Sequence, residues 1–85
     1  MYNPNTANSK TKQSGETAEQ FFKLGMMCST GQSAQLDMIA AHKWFNIAAA
    51  LGMKDAVRLR NEVAVEMSKR EIALAQRAAR DWLWH

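Results

Sequence analysis

The segment from Ala18 to Ala56, AEQFFKLGMMCSTGQSAQLDMIAAHKWFNIAAALGMKDA, constrains the fold more than any other part of the chain. It holds two stretches of apolar residues recurring at three and four positions, separated by Gly31 and closed by Gly52, the pattern of two amphipathic helices joined and ended at glycines. In the first stretch Ala18, Phe21, Phe22, Gly25, Met26 and Cys28 fall mostly on one face. Thr17 and Gln20 have the spacing of a capping box, with Ser14 as an alternative cap one turn earlier. A glycine inside a helix costs about 1 kcal/mol relative to alanine, so Gly25 needs a reason, and close approach of a partner helix supplies one. Gly31 suits a left-handed helix end.

The loop from Ser29 to Leu36 is short and polar, and Asp37 is placed to cap the second helix. There Ala41, Trp44, Phe45, Ala48 and Gly52 make an inward stripe that alternates rings with small residues, which lets antiparallel helices interdigitate. Ile39, Ile47 and Leu51 add a second apolar line where a surface helix is ordinarily polar. The second helix is therefore predicted to be covered on both sides. Downstream, Ala56, Leu59, Val63 and Met67 predict a third helix from about Lys54 to Met67. Ser68 and Glu71 form a second capping box, which opens a fourth helix burying Ile72, Ala75, Ala79 and Leu83 and leaving Arg70, Arg77, Arg80 and Asp81 in water. The ending Trp82-Leu83-Trp84-His85 has no glycine cap.

Ala18, Phe22, Leu24-Gly25, Met27, Gly31, Asp37, Ala41, Trp44-Phe45, Ala48-Ala49, Gly52 and Ala56 together resemble the Sel-one-like repeat, a variety of tetratricopeptide-like helical hairpin. Cys28 stands where that pattern usually has tyrosine, and Ser33 and Ala34 replace a glycine and a valine of its loop. The resemblance covers one repeat, and the fourth helix is similar to a terminal capping helix. What it implies is an all-α fold, an α/α superhelix of about four antiparallel helices in two hairpins. It also implies use as a protein-interaction scaffold without catalytic residues or a cofactor. On this reading residues 16–85 form the repeat domain and residues 1–15, rich in Asn, Ser, Thr, Lys and Gln, form a flexible tail.

Composition narrows the function classes. With 85 residues, 47% of them apolar, a single small domain is the ceiling, and its core is marginal unless the helices pack regularly or a second chain helps. The formal charge of +3 is interspersed, without a basic block of the kind that marks a nucleic-acid or anionic-membrane tail. No signal-peptide core and no membrane-spanning apolar run can be read, and the one cysteine, Cys28, forms no internal disulfide, so the expectation is a cytoplasmic protein. His42 has no second histidine or cysteine at metal-binding spacing, and Cys28 lies toward a helix C-terminus, where the dipole disfavours a thiolate. No constellation of nucleophile, base and orienting group is present, nor a phosphate-binding glycine loop. No enzyme, metal or cofactor is expected.

Two partner classes compete for the remaining surface. Repeat units bury their faces on neighbours, and about three are normally needed before a stack is self-sufficient. Ile39, Ile47, Leu51, Trp82 and Trp84 are accordingly expected to bind a protein partner or to form a homodimer contact, aromatic residues being usual anchors. The alternative is nucleic acid, held by Arg58, Arg60, Lys69, Arg70, Arg77 and Arg80 with Trp82 and Trp84 stacking on bases. Pairing of Arg58 with Glu62 and of Arg77 with Asp81 weighs against it. A membrane surface is disfavoured because Ala73, Ala75, Ala78 and Ala79 give the last helix little apolar depth.

Overall fold

Local capping chemistry sets where three of the four described helices begin, at Thr17, Asp37 and Ser68, and where two of them end, at Gly31 and Gly52. The structure, a computed structural model, describes residues 17–31 and 36–84. Within them lie four α-helices and no strand: α1 (Ala18–Thr30), α2 (Met38–Ala50), α3 (Lys54–Ala64) and α4 (Lys69–Trp84). The expected tail at residues 1–15, the alternative cap at Ser14 and the loop positions Ser33 and Ala34 lie outside the described residues.

The Thr17 hydroxyl accepts the Gln20 N–H at 3.3 Å while the Gln20 side chain accepts the Thr17 N–H at 2.9 Å, so two N–H groups that the first turn leaves free are satisfied reciprocally. Asp37 Oδ1 accepts the Ala40 N–H at 3.0 Å at the start of α2. Its backbone N–H donates to the Cys28 carbonyl at 2.9 Å, which ties the entry of α2 to the last turn of α1. Gly31 (φ 68°) and Gly52 (φ 106°) close these helices in the left-handed region. At Gly52 the bonds Met53 N–H to Ala48 carbonyl and Gly52 N–H to Ala49 carbonyl make a Schellman ending. Gly52 is thus an exposed cap, not a member of the inward stripe of α2 as its spacing had predicted.

α3 stops at Ala64, short of the expected Met67. Val65, Glu66 and Met67 each donate to the carbonyl three residues back, a tight turn that aims the chain at Ser68 and leaves Val65 83% exposed. Met67 still packs on the core, from the turn and not from a helix. Ser68 and Glu71 then exchange both capping bonds, at 3.0 and 2.9 Å.

α2 is the hub. It packs against α1, α3 and α4, whereas no comparable contact joins α3 to α4. The second hairpin expected of α3 and α4 is therefore not a packed pair, because the apolar faces of both are spent on α2. Phe21, Ala41, Phe45, Ile47, Ala48, Ala56, Val63 and Ala79 form one buried cluster drawn from all four helices. Phe45 and Ile47 are its largest fully buried side chains, and burial of each contributes about 1.5–3 kcal/mol. Ala75 and Ala79 present almost no side chain, which lets α4 come close.

α1 and α2 meet most tightly at Gly25. A Cβ added there lies 2.6 Å from two Phe45 ring carbons, and Phe45, itself 1% exposed, has little room to yield. Gly25→Ala is expected to destabilise the fold, because overpacking of about 1–3 kcal/mol outweighs the roughly 1 kcal/mol that alanine returns in helix propensity. Urea denaturation should show the midpoint falling, and a double-mutant cycle should show Gly25→Ala costing less in a Phe45→Leu background. Equal cost in both backgrounds would refute the contact.

Candidate functional site

The residues expected to bind a partner do not form one patch. Ile39 is half-buried in the first turn of α2, and Leu51 is half-buried just past its end, packed on the core. Ile47 is 0% exposed. The expectation that it offers docking surface fails because α2 is flanked by three helices of its own chain, so its second apolar line is covered from within. Trp82 is also turned inward. The Phe21 ring lies between Trp82, edge-on at 4.8 Å, and Trp44, stacked at 5.7 Å, and Lys43 Nζ sits 3.9 Å from the centre of the Trp44 ring. Of the five residues only Trp84 projects into solvent, 80% exposed at the end of α4.

A concave feature lies elsewhere, where the C-terminal half of α1, the start and middle of α2 and the second half of α3 converge. An open groove of about 210 Å³ is floored by Phe45, Met38 and Val63 and walled by Met26 and Leu59. Ser29, Glu62 and Glu66 line its edge. The Ser29 hydroxyl donates to the Met26 carbonyl at 3.2 Å, so at the edge it presents its acceptor side. Glu62 Oε2 accepts from Arg58 Nη1 at 3.2 Å, whereas Glu66 has no ion-pair partner among the described residues. Unbranched methionines beside an open space can refit to different ligands, which an isoleucine could not do.

Sequence reasoning missed this groove as a site, although its parts left traces. Met26 and Met38 read from sequence as gap-fillers of a helical core, like Met27, Met53 and Met67, and Glu62 as the partner of Arg58. Glu66 gave no signal, because a lone carboxylate near a helix end resembles any solvated residue. The convergence of three helices on one opening is a tertiary property that no single periodic stretch encodes.

The polar interior is small. His42, on the face of α2 toward α3, is 2% exposed, and its Nδ1 has no hydrogen-bond partner. Burial, aided by the Arg60 guanidinium, pushes its pKa below the ordinary imidazole value. Arg60 Nη1 donates to Asn46 Oδ1 at 3.0 Å, a partly buried strap between α3 and α2. Cys28 is half-buried, and its thiol pKa is raised by burial and then by the Asp37 carboxylate, with Lys43 opposing. Such a thiol stays protonated and is a poor nucleophile. Among the described residues no three His, Cys, Asp or Glu side chains are grouped to hold a metal ion, and no helix is long and apolar enough to cross a membrane.

Two of the six basic residues considered for nucleic acid are committed within the chain. Arg58 pairs with Glu62 and, at 4.0 Å, with Asp55, and Arg60 is held by Asn46. The expected Arg77–Asp81 pair is not formed, so Arg77 and Arg80 stand free of ion pairs among the described residues. No family model matches the chain, and no curated protein or solved structure matches it either.

His42 makes stability depend on pH. Its folded pKa lies below the ordinary 6.5, so the unfolded chain binds the proton more readily. The full contribution is present above about pH 6.5 and is lost as pH falls through the window between the unfolded and the folded value. The denaturation midpoint is expected to drop on going from about pH 7 to about pH 5.5, with a shallower drop in His42→Leu. Identical slopes in the two proteins would exclude His42 as the source.

Proposed function

We propose that the chain is a non-enzymatic protein–protein interaction module, a small helical adaptor or regulator that docks a protein segment in the groove between α1, α2 and α3. The observation that carries this reading is the groove itself, an apolar floor that includes Met38, with Met26 and Leu59 at its walls and two carboxylates at its edge. Grooves of that kind take one apolar face of a helix or strand, with edge charges selecting sign and register. The resemblance of residues 18–56 to the Sel-one-like repeat supports the same class, as does the α1–α2 hairpin it implies. An α/α superhelical arrangement, extended by a partner where this chain has only four helices in its described part, belongs to the proposal, as does a cytoplasmic setting.

Chemistry on the chain offers little to an enzyme reading. His42 is sealed, and Cys28 is held as a thiol because burial and the Asp37 carboxylate outweigh the opposing Lys43. Nucleic-acid binding is less well supported than it was from sequence, because Arg58, Arg60 and Trp82 are engaged inside the chain.

A photo-crosslinking residue placed at Met26, which is 38% exposed at the groove wall, tests the proposal in the native host. The expected result is a discrete protein adduct from Met26, none from the same residue at Val65, and loss of the adduct when Leu59→Arg blocks the opening. Equal yields from Met26 and Val65, or none from either, would contradict it.

A further inference from the structure

We propose that the groove receives the exposed stripe of α4 from a second copy of this chain, so that copies associate head to tail. The inference rests on the docking reading above and names its occupant.

The stripe is defined by spacing. Ala73, Arg77, Arg80 and Trp84 follow one another at four, three and four residues, which places them on one face of α4, and all four are exposed. Arg77 and Arg80 carry no ion pair among the described residues, and Trp84 exposes most of its ring. An aromatic ring beside two arginines is the composition that interfaces favour over the rest of a surface, because arginine sheds water readily and tryptophan buries a large rigid area.

The groove is complementary in each respect. On a chain of net charge +3 its edge is acidic, with Glu62 in the last turn of α3 and Glu66 in the tight turn that follows it. Glu66 is unpaired, and Glu62 spends one oxygen on Arg58. The floor between them is apolar and open. Arg77 and Arg80, one turn apart on α4, can therefore meet the two carboxylates of the groove edge while the indole covers Met38 and Val63.

The stripe cannot reach the groove of its own chain. The end of α4 is pinned by Trp82 against Phe21 in the first turn of α1, whereas the groove opens at Met26 and Ser29 in the later turns. Those positions are separated by about 8–12 Å along the axis of α1. Ala75 and Ala79, buried close to α2, hold α4 in place between them. The donor and acceptor surfaces are different patches of the same molecule, so the contact is heterologous and generates chains or rings, not a two-fold dimer.

Sedimentation velocity of the full chain across a concentration series tests this. Species larger than a dimer are expected at high concentration and should shrink as salt is raised, since the pairs are exposed. Trp84→Ala and Glu66→Arg should each weaken association by about tenfold or more, the loss typical of an anchor residue. Both sites are exposed, and circular dichroism checks that the variants keep their helices. Combining Glu66→Arg with Arg80→Glu should restore association, an outcome that mere destabilisation cannot produce. A wild-type chain that stays monomeric at every concentration overturns the inference, and so does association indifferent to both single variants. If the monomeric result is accompanied by a Met26 crosslink to a different protein, the self-docking inference falls while the docking groove stands; with no crosslink, both fall.

Discussion

The Gly25–Phe45 contact is the constraint on which the rest of the structure depends. Only a residue without a side chain lets α1 approach α2 closely enough for the Phe45 ring to sit against the α1 backbone at position 25. The ring then touches Phe22 at 5.6 Å, belongs to the buried cluster, and forms part of the groove floor. One side chain thus links the packing of the hairpin to the shape of the candidate site. A shift of Phe45 that relieved a clash at position 25 would move the floor of the groove with it.

The same economy appears in α2. Its thirteen residues are mostly apolar or small, and three helices cover it. Because α3 and α4 lean on α2 and not on each other, the chain has one central element and three dependent ones. This differs from two stacked hairpins, where each pair would have a seam of its own. Loss of α2 packing is therefore expected to release all three neighbours together, in keeping with the cooperative behaviour of small domains. The buried Nδ1 of His42 is the one unsatisfied buried side-chain polar atom among the described residues, and it is costly to keep there.

Much of the fold was legible because it is written in local chemistry. The caps at Thr17, Asp37 and Ser68 and the left-handed glycines at 31 and 52 are read from a few adjacent residues, and Gly25 announced a close approach because a glycine inside a helix is otherwise unfavourable. What failed depended on which element covers which. The second apolar line of α2 was read as needing a cover, but Ile47 is buried by the chain itself and not by a partner, while Ile39 and Leu51 are half-buried. Periodicity gives a face and says nothing about its neighbour. Trp82 was misplaced for the same reason: its aromatic partner is Phe21, on the helix most distant from it in sequence. Arg77 and Asp81 had the right spacing for an ion pair and do not form one, since an exposed pair gains little over two hydrated charges.

The central claim is that the opening lined by Met26 and Met38 is where one copy of this chain receives another. The most direct measurement is the methyl NMR spectrum of the full chain, labelled at its methionine methyl groups and recorded over a concentration series. Met26 and Met38 are expected to shift and broaden together as copies engage, while Met67, which packs on the core from the turn before α4, keeps its position. Shifts confined to Met67, or a spectrum unchanged at every concentration, would contradict the account.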